Sequence, residues 1–307
     1  MPTLSPTQLL ELHDKLRIEA RRLYEDGLNP VDQSADWRQA LTEARMMISE
    51  ALRASDFLFD VSGALQQSGR HMLVFRFLMA PPVSQDQFKL ICSDWPKSTE
   101  KTGAAVKAEK ADIVTSTFQS WLALRLAPLL RTKRRPAMRE LNSLLKAVAP
   151  LIASQRVATA RRNRLAHIQE VSLIEKLESN GWQLLPTRTI DQQGALLPHQ
   201  FMHKARFASG LTGRAEVDIA LGLKEGVVLA MECKVTNDET NSVKRINDVL
   251  KKAEAWRSHW GNFVQPAALL EGVIKLGDVK RLLDGNVAVF WSHRLDLFED
   301  WLTERMS

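Results

Sequence analysis

Two acidic side chains and one lysine in this chain have the types and spacing that hydrolysis of a phosphodiester needs. Met231-Glu232-Cys233-Lys234 rides on the apolar run Val227-Val228-Leu229-Ala230, and Asp218 lies upstream in Val217-Asp218-Ile219-Ala220. Alternate side chains of an extended strand share a face, so Glu232 and Lys234 project together, about 6–7 Å apart along the chain, while Cys233 points away. The stretch bearing Asp218 ends in a turn region at Gly222, which allows a hairpin that sets a second carboxylate beside Glu232. Mg2+ is a hard ion that takes one or two carboxylates plus waters and phosphate oxygens, so Asp218 and Glu232 are the expected ligands. Lys234 is expected to orient the attacking water or to neutralise charge developing on phosphorus. Charge at the end of an apolar run is costly unless paired or metal-bound, which separates this Glu-x-Lys from a solvated surface pair.

These residues resemble the PD-(D/E)XK nuclease superfamily, whose sites pair an Asp with an (Asp/Glu)-x-Lys on adjacent strands. Val217 stands where the motif has Pro, a departure such enzymes often tolerate. More narrowly, Glu232-Cys233-Lys234-Val235-Thr236-Asn237, Thr240-Asn241-Ser242-Val243-Lys244-Arg245, Pro266-Ala267-Ala268-Leu269 and Phe290-Trp291-Ser292-His293 are similar to XamI-type type II restriction endonucleases, as is Ala80-Pro81-Pro82-Val83-Ser84-Gln85-Asp86-Gln87 upstream. The resemblance implies an α/β fold with a restriction-endonuclease-like core, a mixed central sheet flanked by helices, preceded by a mainly helical region. It implies Mg2+-dependent, site-specific cleavage of double-stranded DNA in a restriction-modification setting. A palindromic duplex presents two equivalent phosphodiesters about a two-fold axis, so a C2 homodimer is expected. Two other readings stay open: a repair or junction-resolving nuclease of the same superfamily, and a DNA-binding protein in which the trio is idle.

Such enzymes often draw a supplementary acid from the first core helix. At about 100° per residue, Val171, Leu173, Ile174 and Leu177 of the helix expected over 161–179 share an arc that includes Glu170. Glu170 is therefore the candidate acid, unless it is a helix-edge carboxylate paired with Arg162 or His167.

The charge distribution points to a polyanion. Residues 121–165 hold eleven Lys or Arg against one acid, Glu140, a local excess of +10 in a chain whose net charge is +6. Each neutralised phosphate releases counterions, so Lys133, Arg134 and Arg135 are expected to anchor the DNA backbone without reading sequence. A helix expected over 240–260 carries an apolar stripe of Val243, Ile246, Leu250, Ala253 and Trp256, leaving Lys244, Arg245, Lys251 and Lys252 for other faces. The free amides at its start favour phosphate, and Asn241, Ser242, Lys244 and Arg245 would extend that grip or reach base edges.

Several classes are disfavoured. His199 and His203 have the i, i+4 spacing of a zinc helix, but no third ligand accompanies them and Pro198 marks a boundary. No Gly-x-x-x-x-Gly-Lys loop and no Gly-x-Ser-x-Gly elbow occur, so neither a nucleotide cofactor nor a serine hydrolase is indicated. Two Cys give no disulfide framework, and Cys233 reads as a small buried hydrophobe. Glu11, Asp14 and Glu19 argue against a secretory signal, no apolar run approaches about 18 residues, and a cytoplasmic location without membrane insertion is expected.

At 307 residues and 45% hydrophobic content the chain can hold two ordinary domains. The expected division is a helical region over 1–155, serving DNA clamping, recognition or dimerisation, and a nuclease core over 156–307. Within the first, Ser5-Pro6-Thr7 opens a helix to Tyr24, Asp36 caps a second through Leu58, and a third covers 111–130, while Ser98–Gly103 reads as a polar loop. Within the second, strands are expected at 182–189, 217–223, 227–235, 264–274 and 287–292, followed by a last helix. The connection 189–214 is too long for a plain turn, and its His199, His203, Lys204, Arg206 and Arg214 are placed to reach DNA.

Overall fold

The computed structural model describes residues 4–122, 134–207 and 215–306. The chain divides into two compact units, Pro30–Thr159 and Met1–Asn29 with Ala160–Ser307. The linear boundary expected at 155 thus falls at 159, and the first helix goes with the sheet. That helix, α1 (Pro6–Asp26), starts as its sequence predicts: Ser5 and Gln8 close a reciprocal capping box, and Pro6 occupies the first turn. Its apolar face buries Leu16 and Ala20 against β8 (Val264–Gly272), which is why it leaves the helical region.

The Pro30–Thr159 unit is helical: α2 (Pro30–Ala54), α3 (Val61–Gln67), α4 (His71–Leu78), α5 (Gln85–Ile91), α6 (Ser98–Thr102), α7 (Ala108–Ser120) and the first part of α8 (Met138–Ser179). One core joins Ile48, Leu65, Phe75, Phe88, Trp95, Phe118 and Ile152. The second helix begins at Pro30, so Asp36 lies inside it, and it stops at Ala54 because Asp56, Phe57 and Leu58 take positive φ. Asp60 then caps α3 by accepting from the Gly63 amide at 2.7 Å. Ser98–Gly103 is a short helix closed by Gly103 at φ 77°, not a loop. Its Glu100 is pinned by Arg76, which is 1% exposed, at 2.7 Å. Of the helix expected over 111–130, residues 123–130 lie outside the described residues, and α7 ends at Ser120.

The other unit carries a six-stranded mixed sheet in the order β1-β3-β6-β7-β8-β9. Its strands are β1 (Gln183–Leu185), β3 (Gln200–His203), β6 (Ile219–Gly222), β7 (Val228–Thr236), β8 and β9 (Ala288–Trp291); β2 (Thr189–Ile190), β4 (Arg206–Phe207) and β5 (Ala215–Glu216) form a smaller sheet. Strands β6 and β7 are antiparallel, whereas β7, β8 and β9 are parallel. Helices cover both faces. Leu173 and Leu177 of α8 and Phe298 and Leu302 of α11 (Leu295–Met306) pack on Leu229, Met231, Cys233 and Leu269. The opposite face buries Ala268 and Leu270 under α1, α9 (Glu239–Trp260) and α10 (Leu276–Asp284), and Ala230 under Trp256 of α9. The alternation of β7 therefore sends Cys233 to the α8 side and Glu232 to the α9 side. The connection expected over 189–214 contains β2, β3 and β4, whose two to four residues are too few to show periodicity.

Gly222 ends the strand that leads from Asp218, and a Cβ there would lie 2.2 Å from the Leu197 carbonyl oxygen. Gly222→Ala is expected to cost about 1–3 kcal/mol in urea unfolding. Gly277→Ala, in a helix with nothing within 4 Å of the added methyl, should gain up to about 1 kcal/mol. Equal midpoints for the two variants would show that the Gly222–Leu197 approach is not tight.

Candidate active site

The β6–β7 register places Ile219 opposite Met231, so Asp218, one residue farther, stands opposite Glu232. Asp218 Oδ2 accepts the Cys233 amide at 2.8 Å and the Lys234 ammonium at 3.3 Å, while Oδ1 accepts Lys204 Nζ at 2.6 Å. Lys234 Nζ also donates to Glu232 Oε2 at 2.7 Å, so one ammonium joins both carboxylates. Glu232 is 0% exposed. Lys252 reaches it from α9, donating at 2.8 Å to each carboxylate oxygen and to the Glu216 carbonyl.

Glu170 of α8 joins the same cluster. Its Oε1 accepts Lys204 Nζ at 2.6 Å, and its Oε2 lies 2.8 Å from His203 Nε2. The partners of Glu170 are thus His203 and Lys204, not Arg162 or His167. Lys204 links Glu170 directly to Asp218.

Burial pushes the Asp218 carboxyl up, but the charges of Lys234 and Lys204 and the Cys233 amide outweigh it and leave it below its ordinary value. Burial pulls the Lys234 and Lys204 ammonium groups down, and the carboxylates around them more than restore them, so both end above the ordinary lysine value. The Cys233 thiol is raised well above its usual value by burial and then by Asp218. It packs among Leu173, Leu269 and Phe290 as the apolar filler its position predicts.

The start of α9 differs from expectation. Asp238 caps it, accepting the Thr240 and Asn241 amides at 2.9 and 2.8 Å, so a carboxylate already fills the place proposed for phosphate. Ser242 is 0% exposed with its hydroxyl on Asp278 at 2.7 Å, which removes it from any surface contact. Asn241 and Lys244 are exposed and Arg245 is half-buried. In the helical unit, Arg134 pairs with Glu140 at 2.7 Å, and Arg135 pairs with Asp56 at 2.8 Å while lying over the Phe57 ring. Lys133, like Arg125, Arg131 and Arg214, lies outside the described residues.

Sequence reasoning left Lys252 to a helix face other than the apolar stripe and set His203 and Lys204 in a long connection placed to reach DNA, whereas the structure brings all three onto the carboxylate cluster. The signal for Lys252 was its place beside Val249, Ala253 and Trp256, which are buried on the sheet.

The donor set suits a hard divalent cation. Asp218 and Glu232 already share one cation, the Lys234 ammonium, which shows that their oxygens converge on a single positive charge. Among the described residues no three His, Cys, Asp or Glu side chains gather as a metal cage. Mg2+ needs none, because it retains waters and takes one or two carboxylates with substrate phosphate oxygens.

A sequence profile of the XamI restriction endonuclease family matches residues 56–291. The type II restriction enzyme XamI of Xanthomonas campestris pv. amaranthicola is 30% identical over 190 residues, which cover 61% of this chain and 66% of that protein, just under two thirds of its length. The crystal structure of protein VC1899 from Vibrio cholerae aligns over 87% of this chain and 56% of its own, with a TM-score of 0.32 and 10% identity, a likeness that carries no argument.

Because the folded Asp218 carboxyl lies below its ordinary value of 3.8, its contribution to stability is present above that pH and is lost as pH falls through the lower folded value. The difference in unfolding free energy between the protein and Asp218→Asn should therefore stay level from neutral pH to about 5 and shrink under stronger acid. Urea titrations across that range check it; a deficit that grows on acidification would contradict the ion pairing.

Proposed function

The chain belongs to the XamI restriction endonuclease family, and on that premise we propose that it is a type II restriction endonuclease that hydrolyses phosphodiester bonds of double-stranded DNA at specific sites with Mg2+. The observation that carries this reading is the cross-strand pairing of Asp218 with Glu232 around the Lys234 ammonium. The fold supports it, since a mixed sheet with helices on both faces is what a restriction-endonuclease-like core requires.

Asp218 and Glu232 would hold the Mg2+, which when bound supplies charge against the phosphoryl oxygens and acidifies water. Lys234 stays protonated, since its ammonium is raised above the ordinary lysine value. It would donate hydrogen bonds to a phosphate oxygen or to the attacking water. Lys252 holds the Glu232 carboxylate by both oxygens, fixing the direction in which its lone pairs point. Glu170 is proposed as the supplementary acid through its link to Asp218. Asn241, Lys244 and Arg245 are proposed DNA contacts at the head of α9. A C2 homodimer, with the helical unit as one source of the shared surface, would match the two-fold symmetry of a palindromic duplex.

Incubation with phage DNA and Mg2+ should yield discrete bands; structure-dependent nicking would point to a junction or repair enzyme, and intact DNA would end the nuclease reading. Asp218→Ala, Glu232→Ala and Lys234→Ala should each abolish cleavage, by about 100-fold or more, while duplex binding in a gel-shift assay persists. Cleavage near the wild-type rate by any of the three would remove that residue from the site.

Replacing Lys133, Arg134 and Arg135 together with Ala should weaken specific and non-specific binding alike and flatten the slope of log affinity against log salt by roughly 2–3 units. The cut site should not move. An unaltered slope would assign these arginines to their Glu140 and Asp56 pairs alone.

A further inference from the structure

Three carboxylates, Asp218, Glu232 and Glu170, are met here by three ammonium groups, Lys204, Lys234 and Lys252. Counted over these six side chains the site is neutral. A divalent cation entering a neutral cluster gains little unless one ammonium leaves. The three lysines are not equally free to do so. Lys234 is 12% exposed and its ammonium makes contacts with Asp218, Glu232 and the Cys233 carbonyl. Lys252 is held by both Glu232 oxygens and the Glu216 carbonyl. Lys204 is the most exposed, at 37%, and its ammonium has two partners, Asp218 Oδ1 and Glu170 Oε1, both at 2.6 Å.

The backbone separates the fate of this ammonium from that of its Cα. Lys204 sits at φ 54°, a left-handed conformation unusual for a residue with a side chain. Its amide donates to the Asp218 carbonyl at 2.8 Å. The main chain is thereby fastened to Asp218, while the four-carbon side chain can rotate outward about its own bonds.

We propose that Lys204 is an internal counter-ion to Asp218 and Glu170, and that a divalent cation held by Asp218 and Glu232 would bind by displacing its ammonium from the Asp218 carboxylate. This rests on the reading of Asp218 as a cation ligand. Lys204 is then a positioning residue: it holds two carboxylates together as charged groups until the ion replaces it. It also raises the ion concentration the site requires. An opposite charge at this distance shifts a carboxylate's proton affinity by one unit or more, so removing it should favour a competing cation by at least about tenfold.

The test is thermal unfolding of the DNA-free protein across a MgCl2 titration, which reads ion binding through its linkage to stability and needs no cleavage. Lys204→Met is expected to melt below the wild type without Mg2+, and to reach half of its Mg2+-linked rise at a concentration at least about tenfold lower. Lys204→Arg, which keeps the charge, should retain the wild-type half-point. Lys204→Gln carries the same comparison should the Met variant fail to fold. A half-point in the uncharged variant equal to or above the wild-type value would overturn the displacement while leaving the metal site intact. Absence of any Mg2+ response in both proteins would overturn the metal site and the displacement together.

Discussion

A carboxylate with no exposed surface cannot stay charged unless cations meet it, and Glu232 is such a group. Taking a carboxylate out of water costs several kcal/mol even after relaxation. Lys234, two residues along the same strand face, and Lys252, from a helix packed on that face, both supply ammonium groups at hydrogen-bond distance. The requirement constrains more than the site. Lys252 reaches Glu232 only if α9 lies on β7 in one rotation, and Ile246, Val249, Ala253 and Trp256 set that rotation by burying their stripe. Apolar packing brings the lysine, and the buried charge rejects any slip of the helix that would withdraw it.

The rest of the site grows from the same strand. Asp218 is delivered by the antiparallel β6–β7 pairing, a short-range contact in sequence, and is fastened by the Cys233 amide. Glu170 comes from the opposite face of the sheet, on α8. It is joined to Asp218 through Lys204, at the end of the strand that pairs with β6. Local hairpin geometry therefore makes the trio, and tertiary packing makes the shell of lysines around it.

This division explains what could be read in advance. Asp218, Glu232 and Lys234 were legible because strand alternation is a fixed two-residue period and the apolar run marks the strand as buried. Glu170 stood out because a carboxylate inside an apolar arc needs a partner, but that partner was sought at Arg162 or His167, and His203 and Lys204 were read as reaching DNA because β3 and β4 are too short to show a period. Lys252 was missed because a lysine beside an apolar stripe looks solvated until the sheet beneath supplies a buried acid. Ser242 failed in the opposite direction: its type suits DNA, but its position one turn into α9 points it at Asp278. The cap at Asp238 was present in the sequence, and an anion there competes with the phosphate that a bare helix start would invite.

The electrostatics limit how the proposed hydrolysis can move protons. Asp218 is held below its ordinary value, and Lys234 and Lys204 above theirs. None of these three changes charge near neutrality. The Cys233 thiol is raised and buried, so it is neither a base nor a nucleophile there. In the proposed hydrolysis Asp218 and Lys234 would act as charges that bind and orient, while the neutral Cys233 thiol stays an apolar filler. If the proposed hydrolysis holds, its rate would come from the placement of charge, and that placement depends on β7 being packed on both faces.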